Sequence, residues 1–498
     1  MLFTSFQFLF GYLPVVFVGF FLIRRFLGMK VAALWLGAAS VFFYGWWDLT
    51  YVPLLLTSII FNFVSGWLLA SVDNKSSRHK ILMISVGSNL GLLAYFKYAN
   101  FFLAETSRVF GASFETLEII LPLGISFFTF TQIAFLVDVY RGKVREFSFV
   151  NYLLFVTWFP HLIAGPVLHH AQMMPQFRDP EIYRIQSRNL AIGFALICVG
   201  LGKKLLIADP ASTYADPVFA SAALGHVQEF GVSWVGALAY TIQIYFDFSG
   251  YCDMAVGLSM LFGIRLPINF NSPYKAASII EFWRRWHMTL SQFLRDYLYI
   301  SLGGNRRGEA RRLVNLMATM VLGGLWHGAN WTFIVWGGVH GLFLCINHLY
   351  QKVPATLKMG RLVPSVLRHP IGVLSTFVVV VSAWVIFRAD SLHSAGLILH
   401  GMFVGWTWGG LQNALGAWSI TGFSGLLLMS MGIVWLFPNV YEVIRLLEQK
   451  IDAIEDYSKG LAKLACISIA IACTGVFFAS LISTFGVSVV SPFLYFQF

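Results

Sequence analysis

The stretch Glu281-Phe282-Trp283-Arg284-Arg285-Trp286-His287 places two arginines and a histidine among aromatic residues. Further along, the chain reads Leu325-Trp326-His327-Gly328-Ala329-Asn330. Both stretches lie in a chain that is otherwise strongly apolar. Ionisable groups in a hydrocarbon setting are costly, and by default they mark function. The two histidines therefore predict chemistry that is carried out within a membrane.

The composition of the chain argues against a set of soluble domains. Of the 498 residues, 58% are hydrophobic and only 11% are charged, whereas soluble domains carry about 25% charged residues. Apolar runs of roughly 20 residues recur along the chain, and each is long enough to cross a hydrocarbon layer of about 30 Å. The sequence predicts an all-α, polytopic integral membrane protein, a single domain over residues 1–498. Its apolar segments correspond to about 11–13 transmembrane or re-entrant helices around a central cavity.

The net charge of +11 is explained by topology. Basic residues are concentrated in short connections between apolar segments: Arg24, Arg25 and Lys30, then Lys75, Arg78 and Lys80, then Arg141, Lys143 and Arg145. Cytoplasmic loops are enriched in Lys and Arg, so these connections are predicted to face the cytoplasm, and the amino terminus is predicted to lie outside it. No contiguous basic domain exists, so a nucleic-acid partner is not expected, and the lipid bilayer is the predicted environment.

Motifs of soluble enzymes do not occur in the sequence. It contains no GxSxG elbow, P-loop or dinucleotide fingerprint. His161, His169 and His170 match no standard zinc spacing, so no metal is predicted. Chemistry must therefore come from the membrane helices and their short connections.

Residues 281–345 are predicted to be the catalytic core, beginning with an interfacial helix over residues 281–297. Phe282, Trp286 and Leu290 recur at helical spacing, while Arg284 and His287 fall on another face. Two interpretations stay open. The helix is either a membrane-surface helix with a solvated cationic face or the lip of a site for an anionic substrate.

The following connection is rich in arginine, and this supports a phosphorylated substrate. Seven arginines fall in this region: 284, 285, 295, 306, 307, 311 and 312. Guanidinium groups bind phosphate through paired hydrogen bonds, although anchoring of a cytoplasmic loop is an alternative for any one of them.

His327 is predicted to lie at depth in the membrane. It follows Arg312 by 15 residues, which corresponds to roughly 22 Å along an upright helix. The surrounding Gly323–Asn330 segment is predicted to form a re-entrant break. Irregular backbone at this depth is tolerated only where protein buries it or an aqueous cavity adjoins it. A purely structural histidine is the alternative.

Two carboxylates, Asp247 and Asp253, lie in another apolar segment. Their spacing puts them on different helix faces, so a shared-proton pair is not expected. Asp247 is expected either to pair with an arginine or to have a role in the site, where it would orient a histidine or line the cavity.

Together these segments resemble the membrane-bound O-acyltransferase family, especially its bacterial branch that serves polysaccharide O-acetylation, as in alginate synthesis. The resemblance spans nearly the whole chain and rests on ordered matches at Tyr95–Asn100, Leu121–Ser126, Phe159–Pro166, Tyr245–Gly257, Glu281–His287, Leu294–Tyr299 and Leu322–Asn330. Cys252 stands where that branch is expected to have serine, a near-isosteric departure.

The resemblance implies roles for particular residues. His327 corresponds to the catalytic histidine of the family, and His287 to a second active-site histidine that positions the thioester or polarises its carbonyl. Whether His327 is a base or a transient acyl carrier stays open. The substrate-binding prediction comprises Trp283, Arg284, Arg285, Asp247, Tyr251, Trp326 and Asn330.

The resemblance also implies a reaction and a location. Acetyl-CoA is the expected cytoplasmic acyl donor, with no bound cofactor, and a periplasmic acetyltransferase partner is expected to finish the transfer to an exopolysaccharide such as alginate or cellulose. The expected location is the bacterial inner membrane. Three alternatives remain: transfer of a D-alanyl group from a carrier protein to a cell-wall polymer, a non-enzymatic transporter with a proton relay, and a scaffold for polysaccharide synthesis.

Overall fold

A computed structural model describes residues 1–111, 114–144, 147–354, 364–405, 422–446, 472–483 and 491–494. Every regular element within these ranges is a helix, and none of the described residues forms a strand. The predicted all-α fold is therefore confirmed. Arg145, one of the basic residues of the third predicted cytoplasmic connection, lies outside the described residues.

The chain divides into two compact units, of which the first comprises Met1–Cys198, Tyr251–Ile268 and a short C-terminal piece. Its helices are α1 (Leu13–Leu27), α2 (Met29–Gly45), α3 (Val52–Ser71), α4 (Lys75–Leu93), α5 (Ala99–Phe110), α6 (Ile125–Tyr140), α7 (Phe149–Thr157) and α8 (His170–Met173). The basic residues of the predicted cytoplasmic connections lie at helix ends: Arg24 and Arg25 are in the last turn of α1, and Lys75 is the first residue of α4.

Buried amides join the helices of the first unit. The side chains of Asn62 in α3 and Asn89 in α4 donate to each other's oxygen, over 3.0 and 2.7 Å. Gln132 in α6 donates to the Ser58 hydroxyl over 2.9 Å. Lipid cannot form hydrogen bonds with these amides, so bonds between the helices satisfy them and determine which helix faces pack together.

The second unit contains the two motif stretches that open the sequence analysis. Helices α9 (Ser187–Gly202) and α11 (Phe230–Leu261) pass from one unit into the other. The remaining helices are α10 (Asp209–Ala223), α12 (Ile279–Trp283), α13 (Met288–Phe293), α14 (Gly308–His327), α15 (Trp331–Lys352), α16 (Ser365–Arg388), α17 (Leu392–Phe403), α18 (Phe423–Leu436), α19 (Val440–Leu446) and α20 (Ala472–Ser483).

Helices α14 and α15 form a tightly packed hairpin. A Cβ atom at Gly324 would collide with the backbone carbonyl of Phe333, and one at Gly337 would collide with that of Met320. The missing side chains therefore let the two backbones approach closely, as small residues do in membrane helix pairs. The basic start of α14 and the histidine at its end therefore both belong to this hairpin.

The described part of the chain contains six helices long and apolar enough to cross a membrane, or up to seven if the bent pair α18 and α19 forms one span. The six are Gln7–Leu27, Leu49–Ser71, Lys75–Phe110, Ser187–Ala223, Trp331–Lys352 and Ser365–Arg388. The predicted membrane character is confirmed. The finer count of crossings and the single domain over 1–498 stay predictions.

Candidate active site

The segment that carries His287 departs from the predicted helix over residues 281–297. Helix α12 ends at Trp283, α13 begins at Met288, and a π-helical segment, Leu294–Tyr299, follows. The interruption has a hydrogen-bonding cause, because the backbone N–H of Met288 donates to the carbonyl of Asn269 over 2.9 Å. In a continuous helix the N–H of Met288 would donate to a carbonyl of the preceding turn, but here it donates to Asn269 instead. The prediction of a single helix over residues 281–297 was therefore wrong.

His287 lies in this break with a φ of 43°, a left-handed conformation that costs a non-glycine residue energy and recurs at functional sites. Its Nδ1 lies 3.1 Å from Oδ1 of Asn269, which also accepts from the backbone N–H and the hydroxyl of Thr289. Two N–H or O–H donors at Oδ1 identify it as the oxygen, so Nδ1 of His287 donates and carries the proton.

The protonation of His287 limits what its ring can do. The residue is 1% exposed, and burial lowers the pKa of His287 to about 3, so the ring is neutral near pH 7. With the proton on Nδ1, Nε2 is an acceptor. The predicted polarisation of a carbonyl by this ring needs a donor at Nε2 and does not fit this tautomer. Positioning of a substrate remains a prediction.

The two adjacent arginines, Arg284 and Arg285, have different surroundings. Arg285 forms an ion pair with Glu281 over 2.8 Å and also donates to the carbonyl of Asn271. Arg284 instead lines an open cavity of about 690 Å³. Of the two, Arg284 therefore has the position expected of a substrate contact.

This cavity collects the polar residues at the basic end of α14. Its lining includes three arginines, 284, 295 and 312, together with Trp283, Met288, Tyr299, Asn305, Leu316, Thr319, Met320, Leu344 and His348. Arg312 is fixed there by Glu309, over 3.2 Å, and by Nδ1 of His348, over 2.6 Å. Arg295 is paired with Asp296 over 2.7 Å. The cavity thus has three guanidinium groups on a largely apolar wall, and two of them already have a carboxylate partner.

Helix α14 is continuous through Gly323 and Gly324 and ends at His327. The predicted break in the helix therefore begins only at Gly328, because Gly324 lies inside α14 at the crossing with α15 and Gly323 faces the side chain of Leu294. A re-entrant path for this segment stays a prediction. Asn330 caps α15 by accepting from the N–H of Thr332 over 3.1 Å, and its amide donates to the carbonyl of Asp390. These bonds give Asn330 a structural task in the turn.

His327 is enclosed by aromatic rings. Its ring centroid lies 5.0 Å from that of Trp326, 5.3 Å from Trp336 and 5.2 Å from Phe387. The residue is 6% exposed. Trp326 also lies 6.3 Å from the ring of His287. The structure thus brings the two predicted catalytic histidines together around one shared indole.

Neither His287 nor His327 lines the cavity. However, one face of α14 and one face of α15 lead from the cavity to His327. On α14 the lining residues Arg312, Leu316 and Met320 follow one another at helical spacing towards His327. On α15 the lining residues His348 and Leu344 continue, one turn at a time, to His340 and Trp336. The hairpin therefore joins a cationic cavity to a buried imidazole.

His340 is a residue that the sequence reasoning missed. It is fully buried, and its Nδ1 accepts from the indole N–H of Trp283 over 3.3 Å. Its ring lies 4.9 Å from that of Trp336. The signal was present in the sequence, since residues 336, 340, 344 and 348 recur every four positions with two histidines among them.

Two other predicted substrate contacts have partners of their own. Lys204, in the π-helical segment Lys203–Ala208, binds the carboxylate of Asp247 over 2.6 Å and that of Asp209 over 2.8 Å. The expected pairing of Asp247 thus exists, with a lysine in place of an arginine. In the first unit, Tyr251 packs against the rings of Phe3 and Phe493 at 5.0 Å.

The histidines considered for zinc are engaged individually. His161 contacts the carbonyl of Phe155 through Nε2 at 3.0 Å, and His170 lies 3.2 Å from the carboxylate of Asp138. The described residues contain no group of three or more histidines, cysteines or carboxylates that could hold a metal ion.

Comparison with known proteins identifies the class to which this hairpin belongs. The model of the membrane-bound O-acyltransferase family matches residues 92–363. The chain is 44% identical over 429 residues to a peptidoglycan O-acetyltransferase of Helicobacter pylori, covering 81% of this chain and 80% of that protein.

Two further relatives extend the comparison. A probable alginate O-acetylase of Pseudomonas aeruginosa is 42% identical over 82% of this chain and 76% of its own length. A teichoic acid D-alanyltransferase of Streptococcus thermophilus is 28% identical over 53% of this chain and 68% of its own length. With the family model covering more than half of the chain, this protein belongs to the membrane-bound O-acyltransferase family and is a multi-pass membrane O-acyltransferase.

Proposed function

We propose that this protein takes an acetyl group from cytoplasmic acetyl-CoA and passes it across the bacterial inner membrane for O-acetylation of an exopolysaccharide. A separate periplasmic acetyltransferase completes the transfer to the polymer. The names of the relatives support an acetyl group and a cell-envelope or extracellular glycan as acceptor. The polymer itself, alginate, cellulose or another glycan, is not specified by any residue described above.

The observation that carries the proposal is the arginine-lined cavity on the same hairpin as His327. Acetyl-CoA has a head with several phosphate groups, and its thioester stands at the end of a long flexible arm. Arg284, Arg295 and Arg312 supply guanidinium groups for the phosphates. The length of α14 between Arg312 and His327, roughly 22 Å, suits a donor whose charge and reactive carbon are far apart.

The chemistry assigned to His327 is the proton transfer or group transfer that the thioester requires. As a base, the imidazole takes the proton of an acceptor hydroxyl while the hydroxyl oxygen bonds to the acetyl carbon. The carbon–sulfur bond then breaks, and the thiolate leaves with that proton. As a carrier, an imidazole nitrogen itself bonds to the acetyl carbon, thiolate leaves, and the hydroxyl takes the acetyl group in a second step.

The neighbouring residues prepare this reaction. In this proposal Trp283 and Trp326 shape the passage between the cavity and His327, and His287 holds a hydroxyl through its acceptor nitrogen, Nε2. Asn330 fixes the turn that follows His327 through its cap of α15. The surrounding rings keep bulk water away from the thioester, which limits its hydrolysis.

The orientation proposed for the chain follows from its basic connections. Arg24, Arg25 and Lys75 border connections at one end of the first unit's helices, and the positive-inside tendency assigns that end to the cytoplasm. The amino terminus is then periplasmic. The arginine-rich start of α14 is cytoplasmic by the same tendency, so the donor enters from the side on which acetyl-CoA is made.

A D-alanyl donor on a carrier protein is the second candidate, since one relative is a teichoic acid D-alanyltransferase. Purified protein in nanodiscs, supplied with the periplasmic acetyltransferase partner, separates the candidates: acetyl-CoA and a D-alanyl-charged carrier protein are offered with an acetyl-accepting oligosaccharide, and release of free thiol is measured. We expect thiol release from acetyl-CoA only. Release from the carrier alone would replace acetyl by D-alanyl, and release from neither would contradict the proposal.

A further inference from the structure

His340 presents an arrangement that the proposed reaction does not yet use. An indole N–H can only donate, so the contact with Trp283 makes Nδ1 of His340 the acceptor and leaves the proton of the neutral ring on Nε2. In the described part of the chain, that buried Nε2 has no hydrogen-bond partner. A buried donor in this state is unusual and calls for an explanation.

Trp283 is the residue through which His340 reaches the site. The indole lines the cavity, and its ring centroid lies 5.2 Å from that of His340 and 5.8 Å from that of Trp336. Trp336 in turn lies 5.3 Å from His327. The Trp283 ring therefore stands between the cavity and the aromatic neighbours of the catalytic imidazole.

We infer that His340 is a positioning residue for acyl transfer: its Nδ1 holds the Trp283 indole in the wall that guides the thioester from the cavity towards His327. This inference rests on the proposed binding of acetyl-CoA in that cavity. A phenyl ring at position 340 would fill similar space and keep the aromatic contacts, but it has no acceptor. The nitrogen is therefore the part of His340 that matters for the indole.

The position of the bond predicts which kinetic constant it affects. In the proposed function the phosphates are held by arginines of the cavity, and the bond from Trp283 to His340 involves none of these arginines. If the Trp283 indole rotates out of its position, the thioester carbon is no longer held correctly next to His327. Small misplacements of reacting atoms reduce turnover strongly. Loss of the bond is thus expected to lower kcat and to leave the KM for acetyl-CoA nearly unchanged.

The test uses two variants that separate the ring of His340 from its acceptor. H340F keeps a ring and removes the acceptor, whereas H340N keeps an acceptor oxygen near the position of Nδ1 and removes the ring. With purified protein and acetyl-CoA, H340F is expected to lower kcat about tenfold, with KM changed less than about twofold. H340N is expected to retain more turnover than H340F, which a role in packing alone would not produce.

A double-mutant cycle identifies the partner. W283F removes the indole donor, and the double variant W283F/H340F is expected to lose no more kcat than either single variant, because both remove one bond. W234F is the matched control: it removes an indole bond of 3.1 Å to the carbonyl of Met402, away from the cavity lining, and is expected to keep wild-type kcat.

The possible outcomes separate this inference from the proposed function. If the wild type does not turn over acetyl-CoA, the proposed function fails and takes the inference with it. If the wild type is active and H340F matches it, or if the losses of the two single variants add, the inference alone is overturned. Should H340F fail to accumulate, H340N is compared with W283F, which removes the same bond from the donor side. H340N keeps an acceptor and is expected to turn over acetyl-CoA faster than W283F; equal or slower turnover by H340N overturns the inference.

Discussion

The two ends of the α14–α15 hairpin differ sharply in charge and in exposure to water. At the cavity end, Arg312, Glu309, His348 and Lys352 form a charged network that is partly open to water. At the other end, His327 is surrounded by the rings of tryptophan and phenylalanine. In the proposed function, this difference separates recognition of the donor by charge from acyl transfer in an apolar enclosure.

The cost of burying charge explains why the two ends could not be exchanged. A permanently charged guanidinium deep in a hydrocarbon setting is expensive, whereas an imidazole can be neutral there and still accept or donate a proton. The change from arginine to aromatic residues along α14 fits the predicted depth of each position in the membrane. It also predicts that variants at the two ends affect different steps.

The largest effect is expected for H327A. Removing the imidazole should lower acetyl transfer by at least about 10²–10⁴-fold, the range for a proton-transferring side chain, and by more if it carries the acetyl group. O-acetylation of the polymer in cells and thiol release by the purified protein both measure it. H400A, at an exposed histidine of α17, is the control. Normal acetylation by H327A at equal membrane abundance would refute the catalytic assignment.

The second expected effect is smaller and falls on donor binding. R312A removes one cationic partner of the donor phosphates, and a hydrogen bond between charged groups contributes about 1.5–3 kcal/mol. The KM for acetyl-CoA should therefore rise about 10–100-fold, with kcat changed far less. Added salt should weaken donor binding to the wild type more than to R312A, because screening acts on exposed charges.

A neighbouring arginine gives the control for this experiment. Arg311 precedes Arg312 on α14 but is exposed and does not line the cavity. R311A should keep the KM of the wild type. If R311A and R312A raised KM equally, the effect would come from the general positive charge of the loop, and the difference between the two ends of the hairpin would lose its basis in the cavity.

The sequence predicted those features that depend on local composition. Runs of apolar residues indicated the all-α membrane fold, and the isolated imidazole of His327 stood out against an apolar background. Arg284 and Trp283 line the cavity, and their role as substrate contacts stays a prediction. In each case the relevant information lay within one helix or one short connection.

Features that depend on distant partners were not predictable from periodicity. The break at His287 forms because Asn269, 18 positions earlier, bonds to the ring of His287 and to the backbone N–H of Met288. Lys204 and Asp247 meet although 43 positions separate them. His340 was missed because a lone histidine in an apolar helix is usually structural, and its bond to Trp283 spans 57 positions.

The smallest expected effect concerns the crossing that holds the two ends of the hairpin together. In G337A a methyl group would collide with the carbonyl of Met320, so α14 and α15 must separate, which typically costs about 1–3 kcal/mol. In G338A the nearest atom, on Val321, lies 4.0 Å from the new methyl group. The methyl group of G338A thus fits without a collision, and the higher helix propensity of alanine, worth about 1 kcal/mol, is expected to leave the stability of the protein unchanged or to raise it.

The two glycine variants are compared by thermal unfolding in detergent and by acetyl transfer. G337A should unfold at a lower temperature than G338A and turn over acetyl-CoA more slowly at temperatures where both are folded, because the arm of the donor is then led to a displaced imidazole. If G337A lost stability but kept full turnover, the spacing between cavity and histidine would not matter to the reaction. The hairpin would then serve only to support the fold, and the cavity and His327 would have to be joined by a path outside it.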